Sequence, residues 1–142
     1  GLSFDKPARH MREYLDVLMP ALRGEPLDYD GDEYRVHGTQ LGVPGVADVP
    51  VVVAALGPLM LKLAGRMTDG TNTWMVGPKT MEGHIVKHLA AAAAEAGRGA
   101  PRVVGGFPVL LTNRPEEARA ALAARDLRPV AELPRHARPR RA

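Results

Sequence analysis

The chain has 142 residues, 45% hydrophobic, 25% charged and only 4% aromatic, which is enough for one domain with a packed core. It falls short of the roughly 250 residues of a complete eight-fold barrel of βα units. It has no cysteine, which excludes a disulfide framework, a thiolate metal site and a catalytic thiol. No apolar run approaches the roughly 18 residues of a membrane span, and no signal-peptide pattern follows Gly1. The formal charge of +3 and a pI near 9.6 would suggest an anionic partner if they were spread over the chain. They are not. Residues 1–113 hold 11 Lys and Arg against 12 Asp and Glu, whereas residues 114–142 hold 8 Arg against 4 acids. From Asp126 onward Arg and Pro dominate, and proline at that density breaks helix and strand alike. The expected organisation is one domain over 1–125 and a disordered extension over 126–142.

In chain order, Met11, Leu15, Leu18, Met19 and Leu22 recur at helical spacing, with Asp5 as the expected N-cap, Pro7 in the first turn and Gly24 after the end. Leu27 to Val36 contains Asp30-Gly31 between short apolar flanks, a hairpin signal. Residues 38–48 read as a Gly/Pro-rich loop. Val49 to Leu56 is a continuous β-branched apolar run, suited to a parallel strand buried on both faces. Gly57-Pro58 ends it, and Leu59, Met60, Leu63 and Ala64 predict a short helix with Pro58 at its first position. After an Asp69-Gly70 turn, Thr71 to Val76 predicts a second strand, ended by Gly77-Pro78. Its alternation puts Asn72, Trp74 and Val76 on one face and Thr71, Thr73 and Met75 on the other. A helix through Met81, Ile85 and Leu89 stops at Gly97. A third strand is expected over about 102–112 and a last helix over 115–125. The order β-α-β-α-β-α with short loops predicts an α/β fold with parallel strands and right-handed crossovers. Three strands cannot close a barrel, so they form either a small open sheet or part of a larger one.

The candidate site is Ala54, Ala55, Leu56, Gly57 and Pro58, where a strand ends and a helix begins. Small residues let a ligand approach the backbone, and a helix N-terminus offers free N–H groups and partial positive charge to a phosphate. The alternative is an ordinary tight βα turn. Trp74, the only tryptophan, either lines a flat-ring pocket or packs in the core, the latter being the ordinary use of a strand tryptophan. His84 and His88 share a helix face but have no third ligand, so a solvated face is expected. His10, His37 and His136 stand isolated. Asp28, Asp30, Asp32 and Glu33 lack the twelve-position calcium pattern and read as a solvated turn. Ser3 is the only serine, which argues against a serine nucleophile.

Pro50-Val51-Val52-Val53-Ala54-Ala55-Leu56-Gly57-Pro58, then Leu63-Ala64-Gly65, Thr68-Asp69-Gly70-Thr71 and Trp74, resemble the luciferase-like monooxygenase superfamily. Within it they resemble the coenzyme F420 (deazaflavin)-dependent oxidoreductases of actinobacteria. Arg12-Glu13-Tyr14-Leu15, Ala96-Gly97-Arg98 and Pro101-Arg102-Val103-Val104 add to the resemblance, which covers about residues 3–125. It implies a partial TIM-type (β/α)8 barrel: about three parallel βα units plus an N-terminal helix and hairpin. It further implies that Ala54 to Pro58 hold the phosphate or ribityl part of F420, that Thr73 and Trp74 lie near the pocket mouth, and that hydride passes between the deazaflavin and a small-molecule organic substrate. FMN is the alternative cofactor. The resemblance also implies a cytoplasmic enzyme, with no nucleic-acid or membrane partner and a homodimer in the full-length family. The strands that precede the first helix in the family are missing, and Leu133-Pro134 is followed by Arg135-His136-Ala137-Arg138 in place of the family's continuation. The chain is therefore expected to be a fragment of the later half of a barrel, inactive alone, with a tail of frame-shift origin. A competing reading is a non-enzymatic binding module using the basic tail, although that tail lacks aromatic residues for base stacking.

Overall fold

The computed structural model describes residues 5–42 and 49–124. The tail expected over 126–142, with His136, lies outside them, as do Ser3 and residues 43–48 of the Gly/Pro-rich loop.

Helix α1 runs Pro7–Leu22. Its N-cap is Lys6, without a side-chain cap bond, and not Asp5 as expected. Pro7 has no N–H and occupies the first helical position, so the cap falls one residue after the aspartate. The helix ends at Gly24, whose φ of +70° provides the left-handed residue that closes its last carbonyls.

Strands β1 (Leu27–Asp30) and β2 (Arg35–Thr39) form the expected antiparallel hairpin. Its turn is not the two-residue Asp30-Gly31 type. Asp30 pairs with Arg35, and the loop between them is closed by Gly31 N–H donating to the Tyr34 carbonyl at 2.8 Å. Glu13 of α1 reaches into this loop. It is 2% exposed and accepts the Glu33 N–H at 2.7 Å and the Tyr34 N–H at 3.4 Å. A Cβ on Gly31 would collide with that carboxylate, so the glycine makes room for Glu13. The histidines read as isolated have partners: His10 Nε2 meets Tyr34 Oη at 2.7 Å, and His37 Nδ1 meets Asp28 Oδ1 at 2.6 Å. Arg9 pairs with Asp32, and Arg35 with Asp30.

The Glu33 N–H, opposed by desolvation and helped by the Tyr34 N–H and Arg9, holds the Glu13 carboxyl below its ordinary 4.5. A carboxylate with a depressed folded pKa adds stability above its unfolded value and loses it as pH falls through the folded one. We therefore expect the urea midpoint to drop as pH is lowered from about 5 to 3, and Glu13→Gln to flatten that slope. An identical slope in the variant would remove Glu13 as the cause.

The second sheet is β3 (Val52–Ala54), β4 (Gly70–Trp74) and β5 (Arg102–Gly106), parallel throughout and in that spatial order. Helix α2 (Pro58–Met67) joins β3 to β4. The connection from β4 to β5 is α3 (Pro78–Thr80), a π-helical segment (Met81–Val86) and α4 (Lys87–Glu95), where an uninterrupted helix was expected. Helix α5 (Pro115–Ala124) follows, and Phe107, Val109, Leu110 and Leu111 between β5 and α5 are exposed. The third strand thus stops at Gly106, well before residue 112.

The core lies on one face of this sheet. Val53 and Ala55 of the β3 segment pack with Leu61 and Ala64 of α2, Ile85 and Leu89 of the next helical segments, and Leu15 of α1. Leu15, Leu61, Ile85 and Leu89 are fully buried, worth about 1.5–3 kcal/mol each. The opposite face is open: Val52, Trp74 and Val104 are 42%, 66% and 41% exposed. The expectation that β3 is buried on both faces therefore fails. Among the described residues no element covers the face that carries Val52, Ala54, Asn72, Trp74 and Val104.

Candidate functional site

The C-terminal end of β3 runs into α2 through Ala55, Leu56 and Gly57, and the structure pins this turn at three points. Thr71 Oγ1, fully buried on β4, donates to the Val53 carbonyl at 2.7 Å and accepts the Ala55 N–H at 3.2 Å. His84 Nε2 bonds the Leu56 carbonyl at 2.9 Å. The Gly57 carbonyl accepts the Leu61 N–H at 2.9 Å, the first bond of α2. Pro58 at the first helical position has no N–H, which leaves the Leu59 and Met60 N–H groups to point out of the helix end.

Gly57 is informative because the fold does not require it. Its φ of −79° suits any residue, and a Cβ there would meet nothing within 4 Å. A glycine wanted neither for φ nor for packing leaves an approach to the backbone free. The donors are neutral N–H groups at a positive helix end, and residues 54–61 contain no acidic side chain. This donor chemistry suits a phosphate. A second strand exit has the same form: Gly77 caps α3 with φ −63° and ψ 153°, before Pro78.

The predicted site residues separate onto two sides. Ala54 lies on the open face, Ala55 is buried beneath the turn, and Leu56, Gly57 and Pro58 are exposed at the strand end. Thr73 is 3% exposed on the helix side, where its hydroxyl donates to the Val104 carbonyl at 3.3 Å. Trp74 stands on the open face, so it is not the core residue that packing considerations favoured. Its ring lies over Gly106 of β5, where a Cβ would come 2.7 Å from Cε3. The φ of +54° at Met75, unusual for a residue with a side chain, breaks the strand alternation. The Met75 N–H still bonds the Gly106 carbonyl at 2.8 Å, but the next residue, Val76, turns into the core and leaves the face it was expected to share with Asn72 and Trp74. Backbone strain of this kind collects at functional sites. His84 and His88 lie on an accessible helix face as expected, though His84 has the partner named above. Among the described residues no group of three metal-binding side chains occurs.

A cleft of about 390 Å³ lies at the other end of the strands, lined by Thr68, Asp69, Arg98 and Arg102 among others. Its polar groups are engaged in the fold: Asp69 accepts the Val51 N–H at 2.8 Å, and Arg98 bonds the Thr68 carbonyl at 3.1 Å. In barrels of βα units that end stabilises and the C-terminal end carries function.

Parallel βα units with open, glycine-containing turns at the C-terminal strand ends define this chain as an α/β protein of the barrel-forming kind. It belongs to the luciferase-like monooxygenase family, whose model matches residues 1–141. It is 33% identical over 100 residues to a 5,10-methylenetetrahydromethanopterin reductase of Archaeoglobus fulgidus, covering 69% of this chain and 29% of that protein. It is 27% identical over 118 residues to an F420-dependent glucose-6-phosphate dehydrogenase of Mycobacterium leprae, covering 82% and 35%. The structure of the coenzyme F420-dependent tetrahydromethanopterin reductase from Methanopyrus kandleri superposes with a TM-score of 0.61 at 30% identity, covering 70% of this chain and 29% of that one. An F420-dependent secondary alcohol dehydrogenase shares the fold with a TM-score of 0.66 at 21% identity, covering 74% and 33%. These structural neighbours are TIM-barrel enzymes, and the described residues form a part of that fold without closing it. The matched region spans about a third of each of these relatives. Among the described residues no helix is long and apolar enough to cross a membrane.

Proposed function

We propose that the chain carries the cofactor-phosphate turn of an F420-dependent oxidoreductase acting on a small organic molecule. The observation that carries this reading is the β3–α2 turn: backbone donors at a helix N-terminus, with an open glycine that the fold does not need. Three of the relatives named above are F420-dependent enzymes by name. In this reading the Gly57, Leu59 and Met60 N–H groups hold a phosphate oxygen. Ala54 keeps the sheet surface beside the turn low, and Trp74 presents its flat face at the end of β4. The bound deazaflavin supplies the hydride chemistry, and these residues orient it. The open sheet face and the free edges of β3 and β5 leave the ring pocket incomplete among the described residues, so the chain alone binds without turning over substrate.

Fluorescence titration of the full chain with F420 tests this. We expect binding that weakens roughly tenfold or more in Gly57→Val, whose branched side chain fills the approach, with the urea midpoint within about 0.5 M of wild type. Wild-type binding unaffected by Gly57→Val would locate the cofactor elsewhere. Tighter binding of FMN than of F420 would replace the cofactor named here.

A further inference from the structure

We propose that His84 is a positioning residue for the β3–α2 turn, holding the Leu56–Gly57 peptide so that its N–H is presented to an oxyanion. The proposal rests on the reading of that turn as the phosphate-binding part of the cofactor site.

The argument starts from the peptide plane. The Leu56 carbonyl and the Gly57 N–H belong to one trans peptide, so they point in opposite directions. His84 Nε2 lies 2.9 Å from the carbonyl oxygen. A carbonyl only accepts, so Nε2 carries the proton and the tautomer is fixed. Holding the carbonyl toward the π-helical segment aims the Gly57 N–H away from it. The same bond draws charge toward the carbonyl oxygen and makes that N–H a stronger donor. Without it the peptide is free to rotate: Gly57 has no Cβ to restrain it, and Leu56 is exposed.

The scaffold around the ring fits this role. His84 sits in the π-helical segment Met81–Val86, and an extra residue in a helical turn re-aims the side chains next to it. His88, one turn on, donates from Nδ1 to the His84 carbonyl at 2.8 Å, and the two rings lie 4.6 Å apart. His84 is therefore braced from behind and bonded in front. Residues 56 and 84 come together only because β3 and the β4–β5 connection are neighbours in the fold.

The test uses the full chain as wild type, His84→Ala and His84→Gln, the last keeping an N–H donor at a similar reach. Inorganic phosphate and F420 are titrated separately, following the Gly57 and Leu59 amide resonances and, for F420, its fluorescence. Wild type should show both amides moving with phosphate. His84→Ala should weaken phosphate binding about three- to tenfold, the range of one hydrogen bond, with a melting temperature unchanged within about 2 °C. His84→Gln should recover most of the loss. Equal affinity in His84→Ala overturns the assignment, and so does a loss that glutamine does not rescue. Phosphate binding with this His84 dependence but no F420 binding keeps the assignment and removes the cofactor reading. F420 binding that ignores His84 does the reverse, and uptake of neither probe by wild type removes both.

Discussion

Gly70→Ala should destabilise the chain by about 3 kcal/mol and lower the urea midpoint by about 1 M or more. Gly70 opens β4 with a φ of +156°, a conformation that side chains rarely adopt. It also faces Arg102 in the β4–β5 register, and a Cβ would land on the Arg102 carbonyl oxygen. The neighbouring bonds leave no slack, because Arg102 N–H donates to the Asp69 carbonyl at 2.8 Å and Asp69 N–H to the Val51 carbonyl at 2.8 Å. The three strands are thus tied together at this one level, and a methyl group there must push β5 away from β4. Strain and overpacking act in the same direction, so their sum is a large share of a typical stability of about 5–15 kcal/mol. Gly57→Ala is the matched control: open space and an ordinary φ predict little change. Equal midpoints for Gly70→Ala and wild type would show that the strands do not meet as described.

Those two glycines look alike in the sequence, each beside a strand, and only the structure separates the one the fold needs from the one it does not. The same divide runs through the rest of the chain. The strand–Gly–Pro–helix exits at Gly57-Pro58 and Gly77-Pro78 were legible because strand composition, proline at the first helical position and helical spacing are local signals. Features that depend on register were hidden. Thr71 looks like any β-branched strand residue until β4 is laid beside β3, where its hydroxyl reaches Ala55. His84 and Leu56 are 28 positions apart. Asp30-Gly31 marks the hairpin that forms, but the shape of its loop depends on Glu13, which comes from another element. Val76 was placed on the wrong face because strict alternation takes no account of the positive φ at Met75.

The resemblance located the βα units correctly because its motif spans two strand exits at once. It did not distinguish Thr73 from Trp74, which occupy adjacent positions but opposite sides of the sheet. Of the two, only Trp74 is on a surface a ligand can reach. Thr73 ties β4 to β5 from the helix side, its hydroxyl donating to the Val104 carbonyl.

Gly65→Val should disturb both stability and the candidate site, because it acts on the seat of α2. Gly65 is buried where α2 crosses α4, and a Cβ would come 2.5 Å from the Leu89 carbonyl oxygen, 2.9 Å from Ala92 Cβ and 3.1 Å from the Ala93 nitrogen. Two effects oppose each other for the smaller change, Gly65→Ala. Replacing glycine inside a helix gains about 0.5–1 kcal/mol of propensity. Forcing a methyl group against packed backbone costs about 1–3 kcal/mol, and here two of the three neighbours are main-chain atoms that cannot rotate away. The cost wins, so alanine should destabilise by about 1 kcal/mol and the branched valine by about 3 kcal/mol. Relief comes only by moving α2 off α4, which shifts Gly57, Leu59 and Met60 relative to His84 on the adjoining segment. A partial shift should therefore show as loss of phosphate-induced movement of the Gly57 amide under conditions where Gly65→Ala is still folded. A variant that keeps wild-type stability and an unchanged Gly57 response would mean that α2 and α4 do not make this close contact.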